Sequence, residues 1–293
     1  MTEHLIREDY RDNETLREAY YAFIQTVFPG VNFRNWHDRG YWPAEYIPYS
    51  LVNGSHIISN VSVYKMTVLV SGQPIRAAQI GAVGTLPDYR EQGLSRHLME
   101  YVIDKYRTEV DLLFLFANET VIDFYPKFGF AKHLESVFIA TSDIPTPHYA
   151  VRKLDINRSS DMALIAYRLK KRNDLTSLFG ARDYAGVTLW HILNIHSERV
   201  LYDEEDGIIF IASEKDTILH VWDIIFTRPF KPETVLPKII KSDAITSIRY
   251  YFSPEVTGFS YDKTESIDDS PLYTLGDFSI DGVPFKFPAT AQT

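Results

Sequence analysis

The stretch that most constrains the fold is residues 81–99, GAVGTLPDYREQGLSRHLM, where a strand hands over to a helix. An apolar strand-like run, Ile75 to Thr85, ends in Thr85-Leu86-Pro87. A polar turn follows, and Leu94, Leu98, Val102 and Tyr106 then recur at helical spacing. Asp111 to Ala117, DLLFLFA, is a short continuous apolar run of the kind buried strands show. Strand, helix and strand in this order predict an α/β fold (α+β, mixed sheet) with helices packed on the sheet. The first turn of a helix carries N–H groups without internal partners, so a chain that wraps through Arg90-Glu91-Gln92-Gly93-Leu94-Ser95 presents donors to an anion.

Around this handover the spacing predicts a strand at His4–Glu8 and a helix over Glu14–Phe28 capped by Asn13. Strands are expected at Tyr49–Val52 and His56–Val70, a short helix over Thr120–Phe128 and a strand over Phe130–Thr141. Two prolines in SDIPTPHYAV mark a linker, which divides the chain into 1–146 and 147–293. The second half opens on a strand-like YAVRKLDI. Helices are expected at Ser160–Asn173 and Tyr184–Asn194, strands at GIIFIASE and TILHVWDIIF, a helix started by Pro232 and a strand at SIRYYFSP. Its order loosely echoes the first half.

Composition narrows the function. There are no cysteines, which excludes disulfides and thiolate nucleophiles, and no His/Asp/Glu spacing suggests a metal. The first 150 residues hold 13 Lys+Arg against 18 Asp+Glu, and the remainder 17 against 21. Neither half is basic, so nucleic acid is not the expected partner and a cationic one is compatible. With no signal-like or membrane-length apolar run, the expectation is a cytoplasmic protein with no membrane partner. Asp203-Glu204-Glu205-Asp206 reads as a solvated turn.

Val83, Pro87, Arg90, Gly93 and Ser95 stand in the spacing V-x-x-x-P-x-x-R-x-x-G-x-[GAS], and Asn118, Phe124-Tyr125, Lys127 and Gly129-Phe130 follow. Together these clusters resemble the GNAT superfamily of acetyl-CoA-dependent N-acetyltransferases over roughly residues 4–141. The resemblance implies acetyl-CoA as donor and no metal. The donor's pyrophosphate would be held by the backbone of Arg90, Glu91, Gln92, Gly93, Leu94 and Ser95, with close approach explaining Gly93. Its pantetheine arm would lie along Val83, Gly84 and Thr85, at a bulge that Gly81 or Gly84 eases, and would meet Asn118. Tyr125 resembles the family's general acid.

Many relatives carry a glutamate base on the fourth strand, whereas Ala77-Ala78-Gln79-Ile80-Gly81-Ala82 has no carboxylate. That gap and the paired halves resemble part of the enhanced intracellular survival branch, with a second, degenerate GNAT-like domain that has lost its donor site. The tail SIDGVPFKFPATAQT has two readings. Pro288 and its small polar neighbours favour a flexible surface segment, while a strand at Phe285–Phe287 would steer a Thr293 carboxylate inward as base.

For the acceptor, Phe28, Phe33, Trp36, Tyr41, Trp42 and Tyr46 are interleaved with Asp38 and Glu45. This composition suits an ammonium between acids and π faces, with Phe28, Trp36, Trp42 and Glu45 as candidate contacts. The expected reaction is acetyl transfer to a primary amine of a small cationic molecule or peptide. The alternative is a non-catalytic acyl-CoA sensor, and a homo-oligomer is compatible with either.

Overall fold

The computed structural model describes residues 5–118, 121–280 and 282–293. Strands β1 (Leu5–Glu8), β2 (Tyr46–Asn53), β3 (His56–Val70) and β4 (Gln73–Thr85) are laid side by side, each antiparallel to the next. Between β1 and β2 lie α1 (Glu14–Val27) and α2 (Phe33–Asp38). Asn13 caps α1 by accepting from the Leu16 N–H. Helix α3 (Leu94–Tyr106) crosses to β5 (Leu112–Phe116), which pairs parallel with β4. Leu98, Met99, Val102 and Tyr106 are the buried face of α3, so the helical spacing in the sequence is the core-facing stripe.

From β6 (Ala131–Ala140) the chain enters β7 (Arg152–Lys153), α4 (Ser159–Lys170), β8 (Phe179–Arg182), α5 (Ala185–Asn194), β9 (Val200–Asp203) and the hairpin β10 (Ile208–Lys215) and β11 (Ile218–Ile225). Helix α6 (Pro232–Ile239) then crosses to β12 (Ser247–Tyr250), parallel to β11, and β13 (Lys263–Gly276) follows. β13 does not stay with the second half. It returns between β5 and β6, antiparallel to both, while β8 pairs with the far end of β3 at Thr67–Val70. Among the described residues all thirteen strands join one sheet. The core is shared as well: Tyr20 and Phe114 belong to the same apolar cluster as Phe179, Tyr184 and Phe287.

Some elements differ from the sequence reading. Thr120 lies outside the described residues, and in place of the α-helix expected from there to Phe128 the described residues include a 3₁₀ turn, Tyr125–Phe128, ended by Gly129 at φ +89°. Only Arg152–Lys153 of YAVRKLDI pairs as a strand. Phe285–Phe287 forms no strand, yet the tail is not a flexible surface segment. The Phe287 ring packs on Phe114, Phe116 and Phe179 at 4.7–5.6 Å between centroids, and Thr290 and Ala291 are fully buried. Burial of these apolar side chains overrides the disorder tendency of Pro288-Ala-Thr-Ala.

Candidate active site

The site starts from a bulge. Asn60 is opposite Gly84 and Ser62 opposite Gly81, so Ala82 and Val83 together face Val61. Ala82 takes a left-handed φ of +47°, and its carbonyl accepts from Asn60 Nδ2 at 2.9 Å. Pairing of β4 with β5 ends at Ile80–Leu115. Gly81–Thr85 therefore parts from β5 and opens a slot lined on one side by unpaired backbone. Both glycines are needed, for different reasons. A Cβ on Gly84 would lie 2.6 Å from Val27 Cγ1, and one on Gly81 would lie 2.6 Å from Thr293 Oγ1.

The slot leads to a cavity of about 560 Å³ whose wall includes Val83, Gly84, Thr85, Arg90, Glu91, Gly93, Leu94, Ser95 and Tyr125. Gln92 and Asn118 do not line it; the Gln92 amide turns back to the Asp88 carbonyl. Thr85 Oγ1 and Ser95 Oγ are 2.6 Å apart and tie the strand end to the helix start. No side chain caps α3, so its first-turn N–H groups are left for a ligand or water. A Cβ at Gly93 would meet no protein atom within 4 Å and would stand in the open space of the cavity. Its φ of +78° is a left-handed conformation that glycine takes without strain. Glu91 also sits at φ +61°, a conformation costly for a side-chain-bearing residue.

Tyr125 opens the 3₁₀ turn on the same cavity, buried beside Tyr273. Burial, with the neighbouring Tyr273 phenol, pushes its hydroxyl up to about 12, so it stays protonated at neutral pH.

Across the bulge lies a second cavity of about 170 Å³, lined by Ile24, Phe28, Val31, Phe33, Trp36, Tyr46, Ala82, Val187, Trp190 and Thr293. Of the acceptor contacts expected from sequence, Phe28 and Trp36 are there and two are not. Trp42 is stacked behind Trp36 at 5.6 Å with its Nε1 donating to the Tyr46 carbonyl. Glu45 lies on a different cleft, with Tyr64 and Asp183. Asp38 is beside His37 at 3.3 Å. No acidic side chain lines the aromatic cavity.

The tail closes its floor. Gln79 holds it from both sides, Nε2 donating to the Ala291 carbonyl and Oε1 accepting from the Thr293 N–H. His191 Nε2–H donates to the Gln292 carbonyl at 2.6 Å, and burial pushes this imidazole down to about 4, hence neutral. Sequence reasoning missed Val31, Val187, Trp190 and the Gln79 clamp, because they meet only through long-range contacts, α5 against the α2 region and the tail against β4. The acidic run is a turn with Glu204 and Glu205 exposed, but Asp203 is buried, and Lys238 Nζ lies 2.7–2.9 Å from Asp203, Glu205 and Asp206, whose oxygens converge as a metal's ligands would.

With this geometry in place, a family model for the acetyltransferase (GNAT) domain matches residues 12–132. These residues are a GNAT acetyltransferase domain. Similar solved structures include a conserved Enterococcus faecalis V583 protein of unknown function, with TM-score 0.62, 14% identity, and 93% of this chain and 72% of that chain covered. A GCN5-related N-acetyltransferase from Kribbella flavida gives TM-score 0.58, 14% identity, and 92% and 71% coverage. Eis1 from Mycobacterium abscessus gives 0.53, 15%, and 84% and 65%. At such identities the likeness is one of fold, here extending over both halves. No curated protein matches the chain in sequence. Among the described residues no helix is long and apolar enough to cross a membrane. The GNAT domain is that of an acyl-CoA-dependent acetyltransferase.

Proposed function

We propose that this GNAT chain transfers acetyl from acetyl-CoA to a primary amine by direct attack. The observation that carries the reading is that one bulge separates the two cavities: Ala82 lines the aromatic one and Val83 the larger one. A thioester lying in the slot along Val83–Thr85, like an added strand, would put its carbonyl beside the bulge. Its pyrophosphate would meet the turn and the first N–H groups of α3. A neutral amine entering from the aromatic side forms the C–N bond as the C–S bond breaks. The Tyr125 hydroxyl supplies the proton to the departing sulfur, and the amine gives up one of its own.

The main chain of Thr293 is the group beside Gly81, its carbonyl carbon 3.1 Å from where a Cβ would stand. Where Thr293 carries a free carboxylate, that group is placed to take the amine's proton. The second half, with its hairpin, crossover helix and parallel strand, fits a degenerate GNAT-like unit that shapes the acceptor side through α5 and the tail.

Tyr125→Phe tests the chemistry. It removes only the proton source, so kcat should fall about 10²- to 10⁴-fold with acetyl-CoA affinity little changed. Parental kcat on an accepted amine would reduce Tyr125 to a packing residue. Tight acetyl-CoA binding with no turnover of any amine would favour the sensor alternative.

A further inference from the structure

We infer that the acceptor is a monoamine with an aryl or branched-alkyl body, and not a polyamine or amino sugar. This rests on the acetyl-transfer reading above for the identity of the aromatic cavity. The cavity's volume, about 170 Å³, is close to that of an engineered apolar cavity of about 150 Å³ that takes up benzene. A single ring or a branched five-carbon chain is therefore the size it accepts.

Its wall is Phe28, Phe33, Trp36, Val187 and Trp190 around a floor of Ala82 and Thr293. The polar atoms without partners on these residues are the Trp190 indole N–H and the Thr293 hydroxyl, both buried. The Thr293 hydroxyl can accept from one amine N–H and leave the nitrogen's lone pair free to attack, whereas the indole N–H can only donate. The Trp36 indole N–H is already given to the Gly186 carbonyl, and the Tyr46 hydroxyl is hydrogen-bonded with the Tyr20 hydroxyl. With the Thr293 terminus engaged by the first nitrogen, a second ammonium or a set of hydroxyls would find no charged side chain on this wall to replace its water, a large penalty.

The same dryness serves the reaction. An amine must be neutral to attack, and an apolar surrounding disfavours the ammonium form, lowering the amine's pKa toward neutrality. A cavity ringed by carboxylates would do the opposite, whereas a single carboxylate at Thr293, where free, would meet the one nitrogen whose proton it takes. Phe28 and Trp36, the aromatics expected to hold a cation between acids, here form a desolvating wall.

The test compares 2-phenylethylamine and isopentylamine with spermidine and glucosamine in initial-rate thiol release with acetyl-CoA, alongside separate calorimetric titrations of acetyl-CoA and of 2-phenylethylamine. The apolar amines should show kcat/KM about 10- to 100-fold above the polar ones, the scale on which burial of one such side group discriminates. Val31→Phe, which fills the cavity from a loop, should weaken 2-phenylethylamine at least about tenfold and leave acetyl-CoA affinity within twofold. A preference for spermidine or glucosamine, or no calorimetric binding of 2-phenylethylamine, overturns the inference. Failure of acetyl-CoA to bind breaks the acetyl-transfer reading instead, and the cavity's ligand class is then decided by the 2-phenylethylamine titration and its loss in Val31→Phe.

Discussion

The unit β3–β4–α3–β5 and the unit β10–β11–α6–β12 share a connectivity: an antiparallel hairpin, a crossover helix and a strand parallel to the hairpin's second arm. In both, the parallel pairing covers four residues and then parts, at Ile80–Leu115 in the first and at Val221–Tyr250 in the second. What fills the parting differs. In the first unit it is the slot along Val83–Thr85, continuous with a cavity of about 560 Å³. In the second the chain's own tail lies there, with the Ala289 N–H donating to the Tyr251 carbonyl at 3.1 Å and the Thr290 hydroxyl bonded to Asp223.

The turns diverge in the same sense. The first link wraps through two left-handed residues, Glu91 and Gly93, into an uncapped helix start. The second carries Pro229 and starts its helix on Pro232, and neither residue has an N–H to offer an anion. The second unit's splayed pair holds extended chain, and on the acetyl-transfer reading the first unit's would hold the donor's arm in the same way, with the turn beside it meeting the phosphates. In the second unit the guest is the protein itself, and its far end is delivered to the first unit's bulge.

Removing residues 289–293 bears on this contrast most heavily. It empties the second slot and withdraws Thr293 from the first, so turnover should fall at least about 100-fold while acetyl-CoA affinity holds within twofold. Calorimetry on the same variant sharpens the comparison. No additional donor should bind, because the second turn still has Pro229 and Pro232 in place of two N–H donors and Glu233 in the helix's first turn; a new site would mean that the tail alone had silenced that unit. Retained turnover would remove the tail from the chemistry. A cut at 146/147 is the wrong tool for this question, since it takes β13 from between β5 and β6.

A smaller effect is expected from pH. His191, held neutral by burial against the tail, titrates near 4 in the folded chain and about 6.5 when unfolded. The unfolded chain therefore binds this proton first. Stability is fully present above about pH 6.5 and declines as pH falls toward 4. Urea midpoints measured at pH 7.5 and 5 should drop less in His191→Gln than in the parent; equal drops would leave the histidine irrelevant to tail docking.

Much of the first unit was legible in the sequence because its signals are local. Asn13, the stripe Leu94–Tyr106 and the turn at Gly93 each act within a few residues of where they stand. The strand β13 was not, since KTESIDDSPLYTLG alternates poorly and breaks register between Ile267 and Leu272. The tail's path was half legible: Phe285 and Phe287 advertise burial, but the clamp by Gln79, more than 200 positions away, is a property of the assembled sheet. The acceptor side misled for a related reason, because a residue's nearness in sequence to aromatics, as at Glu45, does not say which cavity it faces.

The central claim is that one of two similarly connected units holds the donor, and calorimetric stoichiometry of acetyl-CoA on the intact chain tests it most directly. The account predicts one acetyl-CoA per chain. In Gly93→Val, where the left-handed backbone would cost roughly 1–2 kcal/mol at the turn, affinity should weaken about 5- to 30-fold with the thermal transition nearly in place. Two equivalent sites per chain, or undiminished binding in Gly93→Val, would contradict it.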